Sequence, residues 1–142
     1  MRSIVRRPGF PPTLPLSRAV ATDSLVFISG QVGTDDSGQI GESVYAQTRL
    51  ALSRLNAILE SVGSSLSNVL KVTVFLRDLS GYDEMNSAYR EFFPSDPPAR
   101  SCVGTALLNG YLVEVEAIAA RNGRSSNAGR KRKKQNYKTS GR

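Results

Sequence analysis

Histidine and tryptophan are absent from the 142-residue sequence, and cysteine occurs once, at Cys102. Without histidine, neither a Ser-His-Asp nor a Cys-His nucleophile system can be assembled, and a metal site would have to be made from carboxylates and one thiol. A single cysteine excludes an intrachain disulfide and suits a reducing compartment. Lysine is nearly missing from residues 1–120: Lys71 is the only one, so a Schiff base has one candidate. No apolar run approaches the roughly 18 residues of a membrane span, and a soluble cytoplasmic protein is expected. Residues 1–22 carry Arg2, Arg6, Arg7 and Arg18 and no acid, as a mitochondrial presequence would. Pro8, Pro11, Pro12 and Pro15 oppose the amphipathic helix that such an address needs.

Acid is also missing from the end of the chain. Residues 121–142 hold nine Lys and Arg and no Asp or Glu, a charge of +9. Residues 1–120 hold ten Lys and Arg against twelve Asp and Glu, a charge of −2. The net charge of +7 therefore belongs to the tail and says nothing about the partners of the body. Residues 122–129 have a linker composition and Arg130–Lys134 is an uninterrupted charge run, so 121–142 is expected to be a basic disordered tail. The body, 1–120, is long enough to bury about two-thirds of its unfolded surface as one domain.

Ser3–Val5, Ala19–Thr22 and Leu25–Ser29 read as short strands, with a turn cluster at Asp35–Gly38. The clearest element is a helix over Ser43–Val62, where Val44, Thr48, Ala51, Leu52, Leu55, Ile58, Leu59 and Val62 form one stripe. Gly63 is its stop. A strand over Val69–Leu76 follows, with Leu70, Val72, Val74 and Leu76 on one face. A second helix over Tyr82–Phe93 has Tyr82, Met85, Tyr89 and Phe92 as its inner stripe. Strands over Ala99–Ala106 and Leu112–Ala120 close the body, joined at Asn109-Gly110, a hairpin dipeptide. The order β-β-β-α-β-α-β-β predicts a mixed-sheet α+β domain.

Several residues in this frame can carry chemistry. Arg100 opens a strand with a planar cationic fork that suits a carboxylate, although an arginine there serves a surface ion pair as readily. Val113–Ala117 alternates, placing Glu114 and Glu116 on one face, as a solvated strand face does and as a general base requires. Ser29-Gly30 puts a hydroxyl and an unhindered main chain at a strand end, in a plain turn or at a ligand. Cys102 shares a strand face with Arg100 and reads as a small buried hydrophobe or a site residue. Asn86, early in the second helix, is either a polar surface residue or a ligand contact.

Ser29-Gly30-Gln31, the helix with Gln47, the Val72–Asp78 strand, Met85–Tyr89 with Phe92-Phe93, Pro98–Ser101 and Val113–Ala119 occur in this order. Together, over about residues 3–120, they resemble the Rid family, the YjgF-type deaminases of reactive enamine and imine intermediates. The resemblance implies a chorismate-mutase-like α+β fold assembled as a homotrimer, with ligand clefts between subunits. It implies hydrolysis of 2-aminoacrylate and related 2-imino acids to 2-keto acids and ammonia, without metal or organic cofactor. Arg100 matches the arginine that binds the substrate carboxylate, and Glu114 the glutamate that positions water. Ser29, Gly30, Asn86 and Cys102 match other residues that line the cleft. The sequence departs from the family at Leu14–Arg18, where members carry a Gly-Pro-Tyr-Ser-Gln-like segment. Leu16 has no hydroxyl and Arg18 adds a charge, which bears on substrate preference and on turnover.

The hairpin adds a geometric expectation. A two-residue turn at Asn109-Gly110 sets Glu114 opposite Thr105, roughly 16 Å along the strand from Arg100 and on the other face. Either the connection is longer or bulged, or the site combines two chains. Other functions remain open at this stage: a regulatory trimer that binds small ligands with little turnover, or RNA binding through the tail. The charge run has one aromatic companion, Tyr137, so its attraction to phosphate is mostly non-specific.

Overall fold

The computed structural model describes residues 1–6 and 13–122. They form β1 (Ser3–Val5), β2 (Ala19–Ala21), β3 (Leu25–Val32), α1 (Val44–Ser61), β4 (Val69–Leu76), α2 (Tyr82–Phe92), β5 (Ala99–Gly104) and β6 (Val113–Ala120). One six-stranded sheet has the order β1-β2-β3-β6-β4-β5. Only the β4–β5 pair is parallel, and α2 is the crossover that a parallel pair requires. The predicted mixed-sheet α+β class and its element order are as observed. Among the described residues no helix is long and apolar enough to cross a membrane. The expectation of disorder falls mainly on residues 123–142, which lie outside the described residues. Arg121 and Asn122 are joined to the body. Arg121 donates to the carbonyls of Val62 and Thr22, at 3.1 and 3.0 Å, and Asn122 accepts from Asn68 at 2.8 Å.

Both helices pack on one face of the sheet and bury a single core with it. The predicted stripe of α1 supplies Ala51, Leu52, Leu55, Ile58 and Leu59, all fully buried, and each Leu or Ile there contributes about 1.5–3 kcal/mol. Ser43 caps the helix by accepting from the Ala46 amide at 3.1 Å. Gly63, at φ +72°, takes the left-handed conformation that ends it. Gln47 is buried on the same helix. Its amide nitrogen donates to Gly41 O at 2.9 Å and its oxygen accepts from Leu112 N at 2.8 Å, tying the β3–α1 loop to the start of β6.

Two expectations about side-chain direction are corrected. The register shifts between Val69 and Lys71, so Val69 turns inward and Leu70 stands 51% exposed, off the face that holds Val72, Val74 and Leu76. A bulge overrides strict alternation. On α2, Met85 and Tyr89 are buried as expected, but Tyr82 is 42% exposed.

The hairpin between β5 and β6 is also overturned. β6 runs between β3 and β4, while β5 lies on the far side of β4. Asn109 and Gly110 do have positive φ, +50° and +75°, as their type predicts. That conformation turns the chain within residues 105–112, which pass over the end of β4. Thr105 N donates to Leu76 O at 2.8 Å and Arg77 N to Leu112 O at 3.0 Å. The Arg77 guanidinium holds Leu107 O at 2.8 Å. The local turn was legible, but its strand partners were set by burial. β6 alternates buried Val113, Val115, Ala117 and Ala119 and takes a central place.

Candidate functional site

Arg100 sits on β5 level with Val72 of β4, whose side chain is buried beneath the helices. The guanidinium therefore projects toward α2. One of its nitrogens donates to Asn86 Oδ1 at 2.8 Å and the other to the Tyr82 hydroxyl at 3.2 Å. Its central carbon lies 4.7 Å from the Tyr89 ring centroid and 5.6 Å from that of Tyr82. Asn86, Tyr82 and Tyr89 share a helix face at spacings of three and four residues, so one side of α2 builds the whole cradle. The ion pairs among the described residues join Met1 with Asp23 and Arg49 with Glu91. Among the described residues Arg100 is held by neutral dipoles, the Met85 sulfur at 3.8 Å and aromatic faces, which orient the charge without neutralising it.

Tyr89 is 5% exposed and its hydroxyl has no hydrogen-bond partner among the described residues. Burial pushes its phenol up to about 12, with Arg100 opposing weakly, so it stays neutral beneath the cation. Cys102, two residues after Arg100 and level with the buried Val74, is half-buried. Burial raises its thiol, again against Arg100, and a raised thiol is a poor nucleophile.

Glu114 lies elsewhere. It pairs with Phe75 on β4 and with Val32 on β3, between the buried Val113 and Val115, so its carboxylate leaves the sheet on the face opposite the helices. Ile28 pairs with Ala117 and Gln31 with Val115, so Ser29 and Gly30 together oppose the single Glu116. This bulge brings the main chain against Glu114. A Cβ on Gly30 would run into the Glu114 carboxylate. Ser29 donates its hydroxyl to Ser17 O at 2.6 Å, fixing the segment that carries Leu16 and Arg18. Glu114 is half-buried, and its carboxyl is raised above the usual range first by burial and second by Glu116.

The six residues singled out in the sequence thus fall into two groups. Arg100, Asn86 and Cys102 lie on the helix side, and Ser29, Gly30 and Glu114 on the open side. Arg100 is level with Ala117 across two strand spacings, so the two groups stand about 10 Å apart along the strands and about 10 Å across them. One chain does not bring them together. The distance expected from the hairpin rested on the wrong register, but opposite faces are what the sheet has. Sequence reasoning missed Tyr82 and Tyr89 as the bed of Arg100. A hydroxyl-bearing aromatic at two places on an otherwise apolar stripe was the available signal. Among the described residues, no three of His, Cys, Asp and Glu gather closely enough to hold a metal ion.

Comparison with known proteins agrees with this architecture. The family model described as Endoribonuclease L-PSP matches residues 8–121. A RutC family protein of Pyrococcus abyssi is 39% identical over 111 residues, 76% of this chain and 87% of the relative. The human 2-iminobutanoate/2-iminopropanoate deaminase is 38% identical over 108 residues, 74% of this chain and 79% of that protein. The crystal structure of E. coli TdcF with bound serine superposes with a TM-score of 0.77 at 35% identity, covering 84% of this chain and 99% of TdcF. With a fold, a residue order and a matched length all shared, the chain belongs to the YjgF/Rid family, whose model carries the Endoribonuclease L-PSP description.

Proposed function

We propose that the protein hydrolyses small 2-imino acids, formed from 2-aminoacrylate-type enamines, to 2-oxo acids and ammonia. The observation that carries this reading is Arg100, a cation oriented by Asn86 and two tyrosines and paired with no carboxylate among the described residues. Such a group suits the carboxylate of a small ligand through two parallel hydrogen bonds. Relatives named 2-iminobutanoate/2-iminopropanoate deaminase support the same chemistry. Glu114 is the matching base. It takes a proton from water as the water oxygen bonds to the imine carbon and the C=N π electrons move to nitrogen. The same carboxyl returns that proton to nitrogen, and, again a carboxylate, takes the hydroxyl proton of the carbinolamine as the C–N bond breaks, so that ammonia leaves and the carbonyl forms. An iminium carbon is already electrophilic, so positioning and one carboxylate suffice.

The opposite faces of Arg100 and Glu114 support a site assembled between chains, in the homotrimer that the family resemblance implies. The open face offers the surface for this, with Phe27 43%, Leu70 51% and Val103 45% exposed. A shared site has a distinctive consequence. Arg100→Ala and Glu114→Gln, each about a hundredfold or more below wild type alone, should regain about a quarter of wild-type ammonia release when co-assembled at random, because intact sites form between unlike subunits. Activity that stays at background in verified mixed trimers sinks the shared site.

A second reading follows from Leu16, which stands beside Ser29 where the family carries a tyrosine. In it the trimer binds 2-oxo or imino acids without turning them over. Binding of a 2-oxo acid with no ammonia release above buffer would select it. The RNA-binding alternative rests on Arg130–Lys134, outside the described residues.

A further inference from the structure

β2 begins at Ala19, so among the described residues the second half of β3 has no paired strand on that side, only the Ser29 N bond to Arg18 O at 3.1 Å. The chain before Arg18 passes there, and a cleft of about 140 Å³ opens between it and β3. Its walls include Leu16, Arg18, Ser29, Gly30, Val32 and Arg54. Two features set it apart. It shares Gly30 with the Glu114 carboxylate, which lies directly over that glycine, so it adjoins the proposed reacting centre. Its described lining also includes two guanidinium-bearing residues, Arg18 and Arg54.

Arg54 reaches the cleft from α1. Its Nη1 is anchored by the Thr34 carbonyl at 3.2 Å and the Thr34 hydroxyl at 3.0 Å. Its Nε is buried and has no hydrogen-bond partner among the described residues. A guanidinium fixed by Thr34, on a wall that also carries Arg18, suits an anion. Leu16 and Val32 give the same space an apolar wall for methylene groups. The volume is well below the roughly 300–1,000 Å³ of a site that encloses a whole ligand. It has room for a short side chain ending in a carboxylate.

We propose that this cleft receives a second carboxylate, carried on the substrate's side chain, so that the site favours imines of dicarboxylic amino acids over those of short aliphatic ones. The inference rests on the imine-hydrolysis reading for the reacting end of the ligand. Arg100 of a second copy holds the carboxylate next to the imine carbon, Glu114 faces that carbon, and the side chain extends past Gly30 toward Arg18 and Arg54.

Two measurements on the full-length protein test this separately from the reaction. Calorimetric titration with 2-oxoglutarate and 2-oxobutanoate needs no turnover. The dicarboxylate is expected to bind about tenfold more tightly, as one added charge-assisted contact implies. Arg18→Gln and Arg54→Gln should each shrink that ratio, and the double variant should bring it close to one. Arg54→Lys, which keeps the charge and loses the fork, should fall between. Equal affinity in the wild type, or a ratio that survives the double variant, overturns the assignment. Ammonia release from the imines freshly made by oxidising glutamate and alanine is the second measurement, and a higher kcat/KM for the glutamate-derived imine is expected. If neither imine is turned over while the binding ratio behaves as stated, the deaminase reading fails and the cleft assignment stands. Turnover of both imines at equal kcat/KM has the opposite meaning.

Discussion

The cradle of Arg100 is finished within one chain, whereas the surroundings of Glu114 are not. Arg100 has an amide oxygen, a hydroxyl and two aromatic faces around it, so its orientation is prepared before any ligand arrives. Glu114 has burial and a neighbouring carboxylate, both of which work against its charge. The first arrangement is what binding needs, since a preorganised donor loses little freedom when its ligand docks. The second is what proton transfer needs, since a carboxylate raised toward neutrality both accepts and returns a proton. In the proposed reaction, the division of labour between recognition and chemistry coincides with the two faces of the sheet.

The comparison breaks most severely at Arg100. Arg100→Ala removes the carboxylate anchor, and kcat/KM for 2-iminopropanoate should fall about a thousandfold, about 4 kcal/mol of transition-state binding. A fall of less than tenfold in ammonia release would assign the anchor elsewhere. Glu114→Gln should lower kcat about a hundredfold with a smaller change in KM. In the wild type, activity should rise with pH through the titration of Glu114, at a pH above the ordinary carboxylate value because burial raises it. In Glu114→Gln that limb should vanish from the pH profile, and a limb that persists belongs to another group. The same shift bears on stability. The folded state holds the Glu114 proton to higher pH than the unfolded chain does, so this group's contribution declines as pH rises from the ordinary carboxylate value through the raised one.

Smaller effects sharpen the contrast. Asn86→Ala frees one side of Arg100, and KM should rise about tenfold while kcat changes less. Equal losses in both would mean that Asn86 acts on the reaction step instead. Tyr89→Phe keeps the ring beneath the guanidinium and removes a buried hydroxyl that has no partner. KM should change less than about twofold, and thermal stability should be equal or higher by up to about 1 kcal/mol. A large rise in KM would show that the hydroxyl, and not the ring, serves the site.

Much of this was legible from residue order. The stripe of α1 and its stop at Gly63 were readable because helix burial follows a 3.6-residue period. Arg100, Glu114, Ser29, Gly30, Asn86 and Cys102 were found through their order along the chain. The opposite faces of Arg100 and Glu114 were also expected, but on a wrong register, because the true spacing depends on which strands are neighbours. Asn109-Gly110 encodes two left-handed residues and nothing about the strand that lies between β5 and β6. Leu70 and the Ser29-Gly30 pair escaped for a related reason, since a bulge shifts the alternation by one residue without a change in composition. Tyr82 and Tyr89 escaped because a core and a cation bed ask for the same aromatic spacing.

The placement of β6 also governs how the chain acquires its structure. β1, β2 and β3 form one sheet fragment, β4 and β5 form another, and β6 is the only strand among the described residues hydrogen-bonded to both. Of these six strands it is also the last to leave the ribosome. Until Val113–Ala120 has been made, the two fragments have no ladder between them and each exposes a hydrophobic edge. Joining them requires closure over long sequence separations, such as Leu25 with Ala120, the slowest kind of contact to form. The sheet is therefore completed after synthesis of its residues is over, and a chain cut short before Val113 would carry two unjoined edges open to aggregation.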